Sequence, residues 1–579
     1  MIINSARGRG ASAIVASMAL LASTAALTTA PAQSAALAGD CAAPYPLVEV
    51  TDGQVVDGLT VSEGTTPEPF TGEVLGVIND GIAPGLDMVM ARLTSAEIDR
   101  VGIWQGMSGS PVYAEDGRLI GAVAYGLSWG PSPVAGITPF EDMDDYLASG
   151  PAPMTVKVSD RAAKAIAADS DVSAAQASQG FSQLPMPMAI SGLSQQRLAL
   201  LKNKGPDYLN TRGAVAMGAA SVTADAGPET LVAGGNLGAA ISYGDITAGG
   251  VGTITSVCDD RLVGFGHPMA FGGQTTLGLM PADAVYVQED PVGPGFKVAN
   301  MSAPAGTIDQ DRLTGISGTL SVLPPEADVT STVTYGDRNR TGTTASLVPE
   351  FNAQVTFMQH LANHDRVIDA IGPGSELATF QVTGTDRDGV PFDISFGDRY
   401  TSQWDIAFES IFEIADMVWV LSAMEGVTID SVTATADVND DTSMYRVRDV
   451  EQRRGGEWFL IGRRQPAVVK SGGTLTLRVT LGSEGVKFTL PLRMAVPETA
   501  RRGGFLAVTG GASTLDSAIY EAKTPAAMEA AGEDAVRNDQ VVANLYLSRR
   551  GNMAAGSVAS ESQALVVRGR EFAEVMVRR

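Results

Sequence analysis

Between residues 45 and 148 the hydrophobic positions come in short runs broken by glycine and polar clusters. The runs "FTGEVLGVI", "DMVMARL" and "RLIGAVAYG" have the length and composition of strands, and Asp116-Gly117 has the chemistry of a tight hairpin turn. The pattern changes over 150–225, which is richer in Ala, Ser, Gln and Lys. There "SDRAAKAIAAD" and "SQQRLALLKNK" repeat apolar residues at helical spacing. Strand-like segments return from about Gly235 to Leu323, including "GVGTITSV" and "DRLVGFGHPM". Beyond Pro324-Pro325, Trp404, Phe408, Ile411, Ala415 and Val418 recur at helical spacing, with Ser402 as the expected N-cap of a helix from about Trp404 to Met424. Further on, "TLTLRVTL" and "VKFTLPLRM" alternate around "GSEG". That alternation turns Leu475, Leu477, Val479 and Leu481 to a core and Thr474, Thr476, Arg478 and Thr480 away from it, a half-buried hairpin as in a β-sandwich.

A chain of 579 residues exceeds a single core, so several domains are expected. Its start is compositionally distinct. Arg7 and Arg9 precede an apolar, alanine-rich run, and small residues follow up to Ala36-Leu37-Ala38. This reads as a secretory signal peptide over residues 1–38, placing the mature chain outside the cytoplasm, secreted or periplasmic. Asp40 before Cys41 argues against lipidation, because a lipobox needs a small residue there. The most apolar later window, "IAFESIFEIADMVWVLSAM", is interrupted by Glu409, Glu413 and Asp416, so no membrane span is expected. Removal of the leader takes away two arginines and no acid, moving the formal charge from −25 to −27. Such an acidic surface repels phosphate backbones and argues against nucleic-acid binding. Cys41 and Cys258, the only cysteines, either pair as a disulfide or remain as two buried thiols; an oxidising compartment favours the disulfide.

Histidine is scarce: His267, His360 and His364 are all there is. His360 and His364 have the i, i+4 spacing of zinc-protease helices. However, Leu361 stands where those enzymes need Glu, and no third ligand is apparent, so the pair reads as helix surface and no metal is assigned. His267 lies in "LVGFGHPMAFGG", an irregular strand-end loop of the kind that presents catalytic groups. The other candidate is the loop in "VGIWQGMSGSPVYAEDGRLIGAVAYG". "GMSGSP" departs from the hydrolase elbow G-x-S-x-G at Ser110. It resembles the G-D-S-G-G-P of trypsin-like proteases, which implies Ser108 as nucleophile, the N–H groups of Gly106 and Ser108 as oxyanion hole, and Ser110 as a turn residue. Met107 replaces the aspartate that pairs with a freed N-terminus in trypsin-like zymogens. A serine hydroxyl needs an adjacent base, and His267 is the histidine on a suitable loop.

Four segments together resemble the stage-four sporulation factor B peptidase family. "GIWQGMSGSPVYAEDGRLIGAVAYG" is similar to its serine segment and "AGGVGTITSVCDDRLVGFGH" to its histidine segment. "AGTIDQDRLTGISGTL" resembles a block downstream of the histidine, and "FTGEVLGVINDGIAPGLDMVMARLT" the lead-in to the serine loop. Three departures stand out. The serine block precedes the histidine block here, no PDZ module is apparent, and the family's acidic triad position falls on Thr94 or Ser95. Asp99, Asp309 and Asp311 are the candidate substitutes.

The resemblance implies a trypsin-like pair of β-barrel domains in exchanged order, and the residue pattern adds a β-sandwich-like C-terminal region with some helix, so the chain as a whole reads as mainly β. On this reading the serine-bearing β-domain covers 39–149, a helical or irregular insert 150–229, and the histidine-bearing β-domain 230–325. A β-rich domain covers 326–510 and a mixed segment 511–579. The implied activity is that of a secreted serine endopeptidase on a protein or peptide substrate, through an acyl-enzyme and without a cofactor. The alternative is a catalytically inactive, protease-like binding or scaffolding protein of the cell envelope.

Overall fold

The computed structural model describes residues 41–127, 130–144 and 226–578, apart from 502, 512–514 and 550–551, together with parts of 155–216. The leader read over 1–38 and most of "SDRAAKAIAAD" lie outside the described residues.

The first part of the chain folds into a closed barrel whose strands are alternately or continuously buried. Strands β1 (Val55–Thr60), β2 (Glu68–Ala83), β3 (Leu86–Thr94), β4 (Pro111–Ala114), β5 (Leu119–Leu127) and β6 (Val134–Pro139) pair antiparallel in the order β1–β2–β3–β6–β5–β4, and β4 returns to β1. Val56, Phe70, Val74, Leu93 and Trp104 fill it. This is a packed core rather than a channel, as expected for a small barrel.

A second barrel is built in the same way. Its region contains β7 (Asn236–Gly244), β8 (Ala248–Cys258), β9 (Arg261–Gly264), β10 (Gly273–Met280), β11 (Ala282–Gln288), β12 (Phe296–Met301), β13 (Gly306–Arg312) and β14 (Gly315–Leu320). The closed order is β8–β9–β14–β13–β10–β7 and back to β8, with β11 and β12 forming a separate hairpin. The molecule is therefore mainly β, with a pair of six-stranded barrels, as the sequence implied.

Residue 325 does not end the second sheet. β15 (Ala327–Tyr335) and β16 (Arg338–Ser346) follow it, and β16 pairs with β7. The sheet continues through β17 (Gly374–Thr385), β18 (Pro391–Ser402) and β19 (Thr428–Asn439), the last lying parallel to β15. The C-terminal region is a sandwich of two sheets around one apolar core, and its second sheet draws on residues on both sides of position 510. In its hairpin Leu475, Leu477, Val479 and Leu481 are buried as the alternation required, although Thr480 is buried too.

Among the helices, α1 (Ala96–Val101) precedes the serine loop and α2 (Gln195–Lys204) lies in the insert. α3 (Asn352–Ile368) and α4 (Ile406–Ser422) pack together through Phe357, Phe408 and Phe412. α4 begins later than expected. Its N-cap is Asp405, which accepts from the Phe408 N–H, while Trp404 is 85% exposed and outside the helix. No helix among the described residues is long and apolar enough to cross a membrane. Cys41 and Cys258 are joined by a disulfide that ties the start of the described chain to the end of β8.

Candidate active site

The serine loop runs from α1 into β4. Ser95 caps α1 by accepting from the Ile98 N–H, and the Thr94 hydroxyl donates to Asp99. The two positions where the family pattern puts an acid are thus spent on starting a helix. Trp104 and Met107, both fully buried, anchor the loop in the first barrel. The N–H groups of Gln105, Met107, Gly109 and Ser110 donate to the carbonyls of Gly295, Trp104, Val123 and Met107. Among the described residues, those of Gly106 and Ser108 donate to nothing.

Strand β8 of the second barrel takes up the loop's carbonyls. The Thr253 N–H donates to Ser108 O at 2.7 Å, its hydroxyl donates to Gly106 O at 3.0 Å, and the Thr255 hydroxyl donates to Gly109 O at 2.8 Å. Such close approach requires glycine. Gly109 has φ +98°, and a Cβ there would lie 1.9 Å from the Thr253 carbonyl oxygen and 2.5 Å from the Phe265 nitrogen. The two serines differ. The Ser110 hydroxyl lies 2.6 Å from Met107 O and 2.9 Å from the Thr60 hydroxyl, whereas the Ser108 hydroxyl makes no hydrogen bond among the described residues.

The histidine loop connects β9 to β10. Phe265 opens it at φ +69°, a conformation that costs a bulky residue roughly 1–3 kcal/mol. Two contacts hold it there: its N–H donates to Thr253 O, and its ring lies where a side chain on Gly252 would be. Gly266 packs on Ala122 and Ala124 of β5, and its carbonyl accepts from the Thr138 hydroxyl at 2.6 Å. His267 is fully buried, with Nδ1 2.9 Å from Pro268 O. A carbonyl only accepts, so Nδ1 carries the proton and Nε2 is the basic nitrogen. Burial lowers the ring's pKa to about 4, against the opposing effect of the Pro268 contact.

The three candidate acids separate clearly. Asp99 bonds Thr94 and Asp309 pairs with Arg261. Asp311, 1% exposed on β13, accepts from the N–H groups of Met269 and Ala270, each at 2.8 Å, and of Gly272 at 3.2 Å. It holds the backbone of the histidine loop rather than the imidazole. The fold thus places the Ser108 and His267 loops side by side between the barrels, both against Thr253. It does not place a hydrogen bond between the Ser108 hydroxyl and the His267 ring.

Lys297 was missed in the sequence. Its Nζ donates to Asn236 Oδ1 at 2.8 Å, its N–H donates to Gln105 O, and its Cβ packs directly behind Gly106. Burial lowers its pKa to about 7. The available signal was the alternation in β12, which turns Lys297 to the same buried face as Ala299 and Met301. The reading of His360 and His364 as helix surface is overturned: both are buried on α3, because that helix is covered on nearly every side. No family model, no curated protein and no solved structure matches the chain.

Proposed function

We propose that the protein is a serine endopeptidase working outside the cytoplasm. Ser108 Oγ attacks the peptide carbonyl, and His267 Nε2 takes its proton and returns it to the leaving amine. The Gly106 and Ser108 N–H groups receive the oxyanion, and Asp311 positions the histidine loop. Water then releases the acyl group, and no cofactor takes part. The observation that carries this reading is that the N–H groups of Gly106 and Ser108 donate to nothing among the described residues, in a loop pressed against the loop of the base. Catalytic hydrogen bonds often tighten only when substrate binds, which accommodates the open hydroxyl–imidazole contact. The Cys41–Cys258 disulfide supports the assigned compartment.

The complete burial of His267 and the missing hydroxyl–imidazole bond favour a second reading, an inactive protease-like binding protein of the cell envelope. A fluorophosphonate probe separates the two. The peptidase reading expects labelling of the wild type that disappears in Ser108→Ala and in His267→Ala. A folded wild type that takes no label supports the binding protein instead.

A further inference from the structure

α3 carries His360 and His364 one turn apart, and β17 brings Glu376 to them; all three are at most 1% exposed. One ligating atom from each lies within 4.8 Å of the other two. His364 Nδ1 is 2.9 Å from the carbonyl oxygen of His360, so that nitrogen carries the ring proton and Nε2 presents a lone pair. Yet Nε2 lies 2.9 Å from a carboxylate oxygen of Glu376, itself an acceptor. Something positive must sit between them. A shared proton would serve that pair alone. It would leave His360 Nε2 and Glu376 Oε1 buried with no hydrogen-bond partner among the described residues, which buried polar atoms rarely tolerate.

We propose that His360, His364 and Glu376 bind a zinc ion that pins α3 to β17. A cation at their centre engages one lone pair from each imidazole and both oxygens of the Glu376 carboxylate, four donor atoms in all. Two histidines and a glutamate form a donor set suited to zinc. Ligand atoms around a tetrahedral zinc lie roughly 3.4 Å apart, between the 2.9 Å of the His364–Glu376 pair and the 4.8 Å that bounds the cluster. The outer contacts fit as well. Ligating histidines usually donate their second N–H to a fixed acceptor. Here His364 Nδ1 meets the His360 carbonyl, and His360 Nδ1 lies 2.9 Å from the Ser331 hydroxyl. Because the site is closed to solvent, the ion enters as the chain folds, and its binding contributes directly to stability.

The test uses the full chain, produced with zinc in the medium and analysed by elemental mass spectrometry. One zinc per chain is expected. It should be lost in His364→Gln and Glu376→Gln, and Ser331→Ala should bind zinc about 10–100-fold more weakly. Should the ligand variants fail to fold, the wild type refolded with Co2+ in place of zinc is expected to show the visible absorption of a tetrahedral cobalt site. A wild type that carries no zinc and develops no such absorption overturns the proposal. So does zinc retained equally by the wild type and the folded ligand variants.

Discussion

At Gly109 the backbone adopts φ +98°, and a Cβ would stand 1.9 Å from the Thr253 carbonyl oxygen, where only atoms of the neighbouring barrel could yield. Gly117 has a similar φ of +82° with nothing within 4 Å. Alanine at Gly117 should therefore cost only the conformational penalty of about 1–2 kcal/mol. Gly109→Ala should cost more than about 3 kcal/mol, since it adds a clash with fixed backbone. Urea unfolding of the two variants compares them, and equal losses would refute the close approach. His267 supplies a pH signature. Its folded pKa of about 4 lies below the ordinary 6.5, so the unfolded chain binds the proton more readily. The stability that the neutral ring contributes is complete above 6.5 and lost as pH falls through about 4, amounting to about 3 kcal/mol. His267→Gln should flatten that part of the wild-type stability profile. For an active enzyme kcat/KM should fall only below about pH 4, because the base stays neutral down to that point.

Buried polar contacts help to hold the elements in place. Arg197 of α2 is fully buried and bridges Asp365 at the end of α3 to Asp405, the cap of α4. Burial opposes its charge, but the two carboxylates outweigh that and raise its pKa. Arg197→Met should cost about 3–5 kcal/mol by leaving two acids without their counter-ion, read as a lower urea midpoint. A neutral effect would mean that the bridge does not organise these helices. Elements of this kind differ in how legible they are from sequence. The hairpin at 474–495 could be read because period-two alternation records which face is buried. α3 could not, because a helix buried on nearly every side has no clear polar stripe, and its histidines and amides therefore look like surface. The start of α4 differs from the expected one because two capping residues, Ser402 and Asp405, stand three apart and each accepts from the N–H three residues on, the helix itself beginning after Asp405.

Across the whole molecule the strands of the two barrels were foreshadowed by strand-length runs and glycine turns, the pairing into two barrels by the family resemblance, and the serine and histidine loops by their own composition. Asp311 and Lys297 were harder to read, because the fold brings them to their partners at the site from 39 or more residues away in the chain. The extent of each sheet was likewise hidden: β7 joins β16 across position 325 through backbone hydrogen bonds that leave no mark in side-chain composition. The disulfide closes a long covalent loop, with its cysteines 217 positions apart. Reducing it should lower stability by up to about 5 kcal/mol. Urea unfolding with and without reductant measures this, and matching curves would show that the crosslink adds nothing.

The most direct measurement is a crystal structure of the protein after reaction with a fluorophosphonate. The account expects phosphorus bonded to Ser108 Oγ. One phosphoryl oxygen should lie about 2.7–3.1 Å from the Gly106 and Ser108 nitrogens, with His267 Nε2 within hydrogen-bond reach of the adduct. An adduct on another residue, or one on Ser108 whose oxygen points away from both N–H groups, would contradict it.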